Sequence, residues 1–181
     1  MNLPNKLTML RILLIPFFVI FAKLNGLNMQ IIAVAIYVVA CVTDAVDGHI
    51  ARSRGLVTNF GKFMDPIADK LLVMSAMIVL TYQHRMPDWV CILMLGREFM
   101  VSGFRLVAVE NGRVIAAGPL GKLKTVFQMV STIALLLLVP VEGEGGGGTV
   151  FANVLMYIAL ALTVVSGVDY IVRNWDCIRD M

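Results

Sequence analysis

The sequence predicts an all-α membrane protein, a bundle of about six transmembrane helices with both termini on the cytoplasmic side. Three observations lead there. Of the 181 residues, 59% are hydrophobic and only 15% charged, where soluble domains have about 45–50% and 25%. The mean hydropathy is +0.86, and a chain of this size has too little interior to hide that much apolar surface from water. The apolar residues also fall into six runs of span length, about 20 residues being needed to cross a bilayer as a helix. Finally, the basic residues gather in alternate connections. An ordinary soluble enzyme, a disordered chain and a secreted disulfide scaffold are excluded on the same grounds. About six spans use some two-thirds of the chain. Residues 1–181 therefore read as one integral membrane domain, with any chemistry in or beside the bundle.

The first run, 7–24, follows Lys6 and could pass for a secretory signal. It ends in Phe21-Ala22-Lys23-Leu24-Asn25, without a small-x-small cleavage site, so a retained helix is expected, kinked at Pro16. The second run, 30–48, closes on Asp44 and Asp47; the third, 65–83, opens on Asp65 and Asp69. The fourth, 88–108, carries Arg97, Glu98 and Arg105, and the fifth, 125–141, follows Lys122 and Lys124. The sixth, 149–172, follows Glu142-Gly143-Glu144 and a glycine run to Gly148, expected to be a flexible external linker. Lys6, Arg52, Arg54, Lys62, Arg113, Lys122, Lys124, Arg173 and Arg179 lie on one side; Lys23 and Arg85 lie on the other. The positive-inside bias puts both termini and the 49–64 and 109–124 loops in the cytoplasm. The net charge of +3 is thus a topology signal and does not point to nucleic acid.

Several residues invite an ordinary reading. Cys41, Cys91 and Cys177 are far apart, without metal-ligand spacing, and read as packing. His84 is expected in a solvated turn, Asp169 in an i,i+4 pair with Arg173 or beside a basic residue of the pocket, and Trp89 and Trp175 at the interfaces.

The chemistry-bearing feature is the acidic group. Asp44 and Asp47 are three apart, Asp65 and Asp69 four apart, so each pair shares a helical face. The short connection makes the two helices neighbours and lets all four carboxylates converge at the cytoplasmic end. Two such charges about 4 Å apart repel by about 4 kcal/mol at an effective dielectric near 20. A helix cap, or a pair with Arg52 or Lys70, accounts for one or two aspartates but not for four. Hard oxygen donors in excess suit Mg²⁺ or Mn²⁺; the adjacent His49 is single, which disfavours zinc. A pair of such ions is suited to displacement at phosphorus. Gly48, Ala51 and Gly61 are small enough for close approach, and Arg52 offers a fork for phosphate oxygens.

The segment reads Asp44-x2-Asp47-Gly48-x2-Ala51-Arg52-x8-Gly61-x3-Asp65-x3-Asp69. At every fixed position it resembles the signature of the CDP-alcohol phosphatidyltransferase family. Pro4-Asn5-Lys6-Leu7-Thr8-x2-Arg11 resembles that family's amino-terminal segment. Gly121-Lys122-Leu123-Lys124-Thr125-x2-Gln128-Met129 resembles the branch that uses glycerol 3-phosphate. The resemblance implies transfer of the phosphatidyl group of CDP-diacylglycerol to sn-glycerol 3-phosphate, giving phosphatidylglycerol phosphate and CMP at the cytoplasmic face of the cell membrane. It implies that Asp44 and Asp65 bridge two Mg²⁺ ions, with Asp47 completing one site and Asp69 the other. Asp69 is also implied as the base for the acceptor hydroxyl. Asn5, Thr8, Gly48, Arg52, Thr58 and Gly61 are implied around CDP-diacylglycerol, and a homodimer is implied as the assembly. The motif is shared by enzymes with other acceptors, such as inositol phosphate or phosphatidylglycerol on the way to cardiolipin. Arg97, Arg105, Lys122 and Lys124 are the expected ligands of the acceptor's phosphate, against a reading as anchors and ion pairs. A membrane prenyltransferase would want a second acidic motif, and a cation transporter would want its acids near mid-membrane.

Overall fold

The computed structural model describes residues 3–24, 26–53, 59–110, 118–140 and 146–175. Side chains are described within these except at 3–4, 44–53, 59–60, 62–63 and 110. The described residues form six α-helices: α1 (Leu3–Lys23), α2 (Leu27–Ser53), α3 (Asn59–Tyr82), α4 (Asp88–Glu110), α5 (Pro119–Leu138) and α6 (Gly147–Arg173). The fold is all-α, as expected. Asn5–Lys23, Pro119–Leu138 and Gly147–Arg173 are each long and apolar enough to cross a membrane, and Leu27–Thr43 is a shorter apolar stretch. The remaining helices carry charges inside their apolar runs, Lys70 and the aspartates in α3 and Arg97 and Glu98 in α4.

Several expected boundaries move. Helix α2 continues to Ser53, past Asp44 and Asp47, and α3 begins at Asn59, ahead of Asp65. Residues 49–53 and 59–64 of the expected loop are thereby helical, and 54–58 lie outside the described residues. Hydropathy follows contact with lipid, whereas Ala51 and Arg52 favour helix beyond it. Of the loop expected over 109–124, residues 109–110 belong to α4 and 119–124 to α5, which carries Lys122 and Lys124. Pro119 starts that helix at a position where its missing N–H costs nothing. Gly147 and Gly148 are helical rather than linker. A Cβ at Gly148 would lie 3.4 Å from Leu138 Cβ, so the start of α6 lies against the end of α5. Helix α1 runs unbroken through Pro16.

The chain divides into two compact units, Met1–Gln83 and His84–Met181. In the first, α1 packs on both α2 and α3. Its buried stripe runs through Asn5, Thr8, Arg11, Ile15, Phe18 and Ala22, the three- and four-residue steps of one helical face. The deep half is apolar and the amino-terminal half polar. Phe18 is wholly buried, its ring centroid 5.7 Å from that of Tyr37 on α2. Ala33, Ala40, Ala68 and Ala76 keep the facing helices close. Phe18→Ala is expected to cost about 3–5 kcal/mol, read as a lowered melting temperature of the detergent-purified protein.

In the second unit α5 pairs with α6 and α4 packs on α6. The buried faces again change character along their length. That of α5 begins with Lys124, Gln128, Ser131 and Thr132 and ends with Leu135 and Leu136. That of α6 begins with Ala152, Met156 and Ala159 and ends with Thr163, Ser166, Gly167 and Tyr170. Arg85, buried in the turn before α4, donates from Nη1 to the carbonyl of Leu136 at 3.2 Å, a cation at the carboxyl end of α5. Its burial holds the guanidinium below its ordinary pKa. Each helix also exposes large apolar side chains, such as Leu13, Val39, Ile78, Ile92, Val126 and Val164. That surface suits lipid better than water.

Candidate active site

The four aspartates lie in the first unit, Asp44 and Asp47 on α2 and Asp65 and Asp69 on α3, and these two helices pack against each other. The side chains of Asp44, Asp47, Gly48 and Arg52 are not among those described, and Thr58 lies outside the described residues. Asp65 is half-buried and accepts a hydrogen bond from the Thr8 hydroxyl at 2.5 Å. A hydroxyl has one proton to give, and Thr8 gives it to the carboxylate. This contact joins α1 to α3 and fixes the rotamer of Asp65, the usual way in which a metal-binding carboxylate is oriented by a neighbouring donor. Asp69 stands one turn further along α3 on the same face and is exposed. Asn5, Thr8 and Gly61 are buried around this end of the unit. Oxygen donors from Asp65 and Asp69, with Asp44 and Asp47 on the adjacent helix, make a set chemically fit for a hard divalent cation.

The second unit holds the expected basic residues, and the structure joins two of the four. Arg97 donates from Nη1 to Glu98 Oε1 at 2.9 Å and from Nη2 to Ser166 Oγ at 3.0 Å. Lys124 donates from Nζ to the same Glu98 oxygen at 2.5 Å. One carboxylate oxygen on α4 thus gathers a cation from its own helix and one from α5, and α6 holds the guanidinium from the other side. Lys124 is only 3% exposed, against 15% for Arg97. Two cations against one anion leave the cluster with a net positive charge, a condition that favours an anionic ligand. Arg105 lies elsewhere, its guanidinium carbon 5.6 Å from the centre of the Tyr170 ring, and Lys122 is exposed.

Two contacts and one burial escaped the sequence reading. Glu98 is adjacent to Arg97, but its bond to Lys124 spans 26 positions. Ser166 is 69 positions from Arg97, and no local pattern marks it. Arg11 is fully buried although basic; it falls on the face defined by Asn5, Thr8 and Ile15, a periodicity that could have revealed it. Of the ordinary readings, Asp169 accepts from Arg173 Nε at 2.7 Å as expected. Trp89 is exposed and stacks on Tyr157, ring centroids 6.2 Å apart.

The model of the CDP-alcohol phosphatidyltransferase family matches residues 1–165. The chain belongs to that family. A Bacillus subtilis protein named CDP-diacylglycerol–glycerol-3-phosphate 3-phosphatidyltransferase is 43% identical over 98% of this chain and 97% of its own length. A Mycobacterium tuberculosis protein named probable phosphatidylglycerophosphate synthase is 43% identical over 95% of this chain and 81% of its own. A Haemophilus influenzae phosphatidyltransferase of the same name as the Bacillus one is 38% identical over 94% and 91%. Both units therefore fall within one CDP-alcohol phosphatidyltransferase sequence. The contacts Thr8–Asp65 and Arg97–Glu98–Lys124 are features of this family member.

Proposed function

We propose that the chain transfers the phosphatidyl group of CDP-diacylglycerol to sn-glycerol 3-phosphate, yielding phosphatidylglycerol phosphate and CMP. The observation that carries this is the complete acidic motif in a chain that a relative of that printed activity matches over 98% of its length. Residues 1–181 act as one integral membrane domain. All six helices cross the bilayer, both termini are cytoplasmic, and the aspartates work at the cytoplasmic face. A homodimer is the proposed assembly, carried over from the resemblance.

Asp44, Asp47, Asp65 and Asp69 would hold two Mg²⁺ or Mn²⁺ ions, which when bound neutralise the pyrophosphate and stabilise departing CMP. Thr8 fixes Asp65 in this set. Asn5, Gly48, Arg52, Thr58 and Gly61 receive the CDP moiety, while the acyl chains stay in lipid. Asp69 takes the proton of the acceptor hydroxyl as its oxygen bonds to the phosphatidyl phosphorus. The bond from that phosphorus to the CMP oxygen breaks, and its electron pair leaves with CMP. Arg97 and Lys124 bind the acceptor's phosphate, with Arg105 and Lys122 as outer basic residues that steer it.

The test uses the detergent-purified full chain. CMP release should require CDP-diacylglycerol, glycerol 3-phosphate and a divalent ion together. Excess chelator should abolish it, and Mg²⁺ or Mn²⁺ should restore it. Release without the acceptor would make the protein a hydrolase. Release that survives chelation would remove the aspartates from metal binding.

A further inference from the structure

Arg97 is held along its whole length, and α6 does part of the holding. A Cβ built on Gly167 would lie 3.0 Å from Arg97 Cγ, 3.5 Å from Nε and 3.9 Å from Cδ. The first of these is closer than side chains normally approach, and Cγ is the middle of the stem rather than a free end. The far end is pinned as well, Nη1 on Glu98 and Nη2 on Ser166. On the α5 side, a Cβ on Gly121 would stand 3.9 Å from Nη2. An added methyl at 167 requires the stem to give by a few tenths of an ångström, which strains the contacts that pin its fork. The shift would also disturb Lys124, which shares Glu98 Oε1 with Arg97.

We propose that Gly167 and Ser166 are positioning residues for the acceptor's phosphate, acting through Arg97. The proposal rests on the reading that Arg97 binds that phosphate. Gly167 provides the groove in which the arginine stem lies, and Ser166 accepts from one arm of its fork. A long cation fixed in this way loses less conformational freedom when the anion arrives. This accounts for a glycine in a buried helical position where alanine would be the better helix former.

The experiment measures kcat, KM for glycerol 3-phosphate, KM for CDP-diacylglycerol and melting temperature in detergent. The proteins are wild type, Gly167→Ala, Ser166→Ala, Arg97→Gln and the doubles that combine Arg97→Gln with each α6 variant. Gly167→Ala should raise the acceptor KM by about five- to twentyfold, the scale of one weakened charged hydrogen bond. The liponucleotide KM should stay near wild type. Ser166→Ala, which adds no atom, should raise the acceptor KM by about two- to fourfold. In the Arg97→Gln background neither change should have a further effect, because the residue they act through is gone. An acceptor KM unmoved by both α6 variants while Arg97→Gln raises it overturns the positioning role and leaves the acceptor reading intact. An equal effect with and without Arg97 overturns it too. If Arg97→Gln itself leaves the acceptor KM unchanged, the acceptor reading fails and the positioning role falls with it.

Discussion

Asp69→Asn is expected to lower kcat by about 10²–10⁴-fold, the usual contribution of a placed general base. The amide keeps the size of the carboxyl group but cannot accept a proton near neutral pH. An alcohol is a poor nucleophile at that pH, so the acceptor hydroxyl depends on a nearby carboxylate. Asp69 is exposed on α3, one turn beyond the Asp65 that Thr8 fixes, where a soluble acceptor can reach it. The substitution also weakens one metal ligand while three aspartates remain, so CDP binding should persist in part. Rapid-quench CMP release, paired with equilibrium binding of CDP, separates the two effects. Full activity in this variant would remove Asp69 from the chemistry.

Lys124→Gln is expected to raise the acceptor KM by about 10- to 100-fold, the range of a lost hydrogen bond to a charged group. The lysine is nearly inaccessible, and its ammonium group lies 2.5 Å from Glu98 Oε1. Glutamine keeps much of the stem and removes the charge. Arg97 still holds Glu98 in the variant, so no buried carboxylate is left alone and the fold should survive. A defect concentrated in KM, with a smaller change in kcat, marks an interaction made already in the ground-state complex. An unchanged KM would leave Lys124 as a structural partner of Glu98.

Much of this was legible in the sequence, for definite reasons. Six helices follow from runs of apolar residues, and the acidic motif is compact enough to be read as a spacing. Helix ends were harder. Hydropathy reports where lipid contact stops, while α2 and α3 continue as helix through polar sequence, and α6 begins inside a glycine run that composition alone reads as linker. The candidate site was half legible. Thr8 and Asp65 were each singled out, but their mutual bond joins positions 57 apart. Glu98 stands beside Arg97, so one of its two bonds could be anticipated and the other could not. Gly167 offers no signal in sequence, since one glycine in an apolar helix looks like a packing residue. Only the arginine stem lying across it gives it a role.

The most direct test is acceptor competition on the purified protein. CDP-diacylglycerol, Mg²⁺ and equal amounts of glycerol 3-phosphate, inositol phosphate and phosphatidylglycerol are supplied together, and the lipid products are identified by mass. The predicted result is phosphatidylglycerol phosphate as the main product, formed in step with CMP. A predominance of the inositol-containing lipid or of cardiolipin would contradict the assigned acceptor, and the absence of any new phospholipid would contradict the transfer itself.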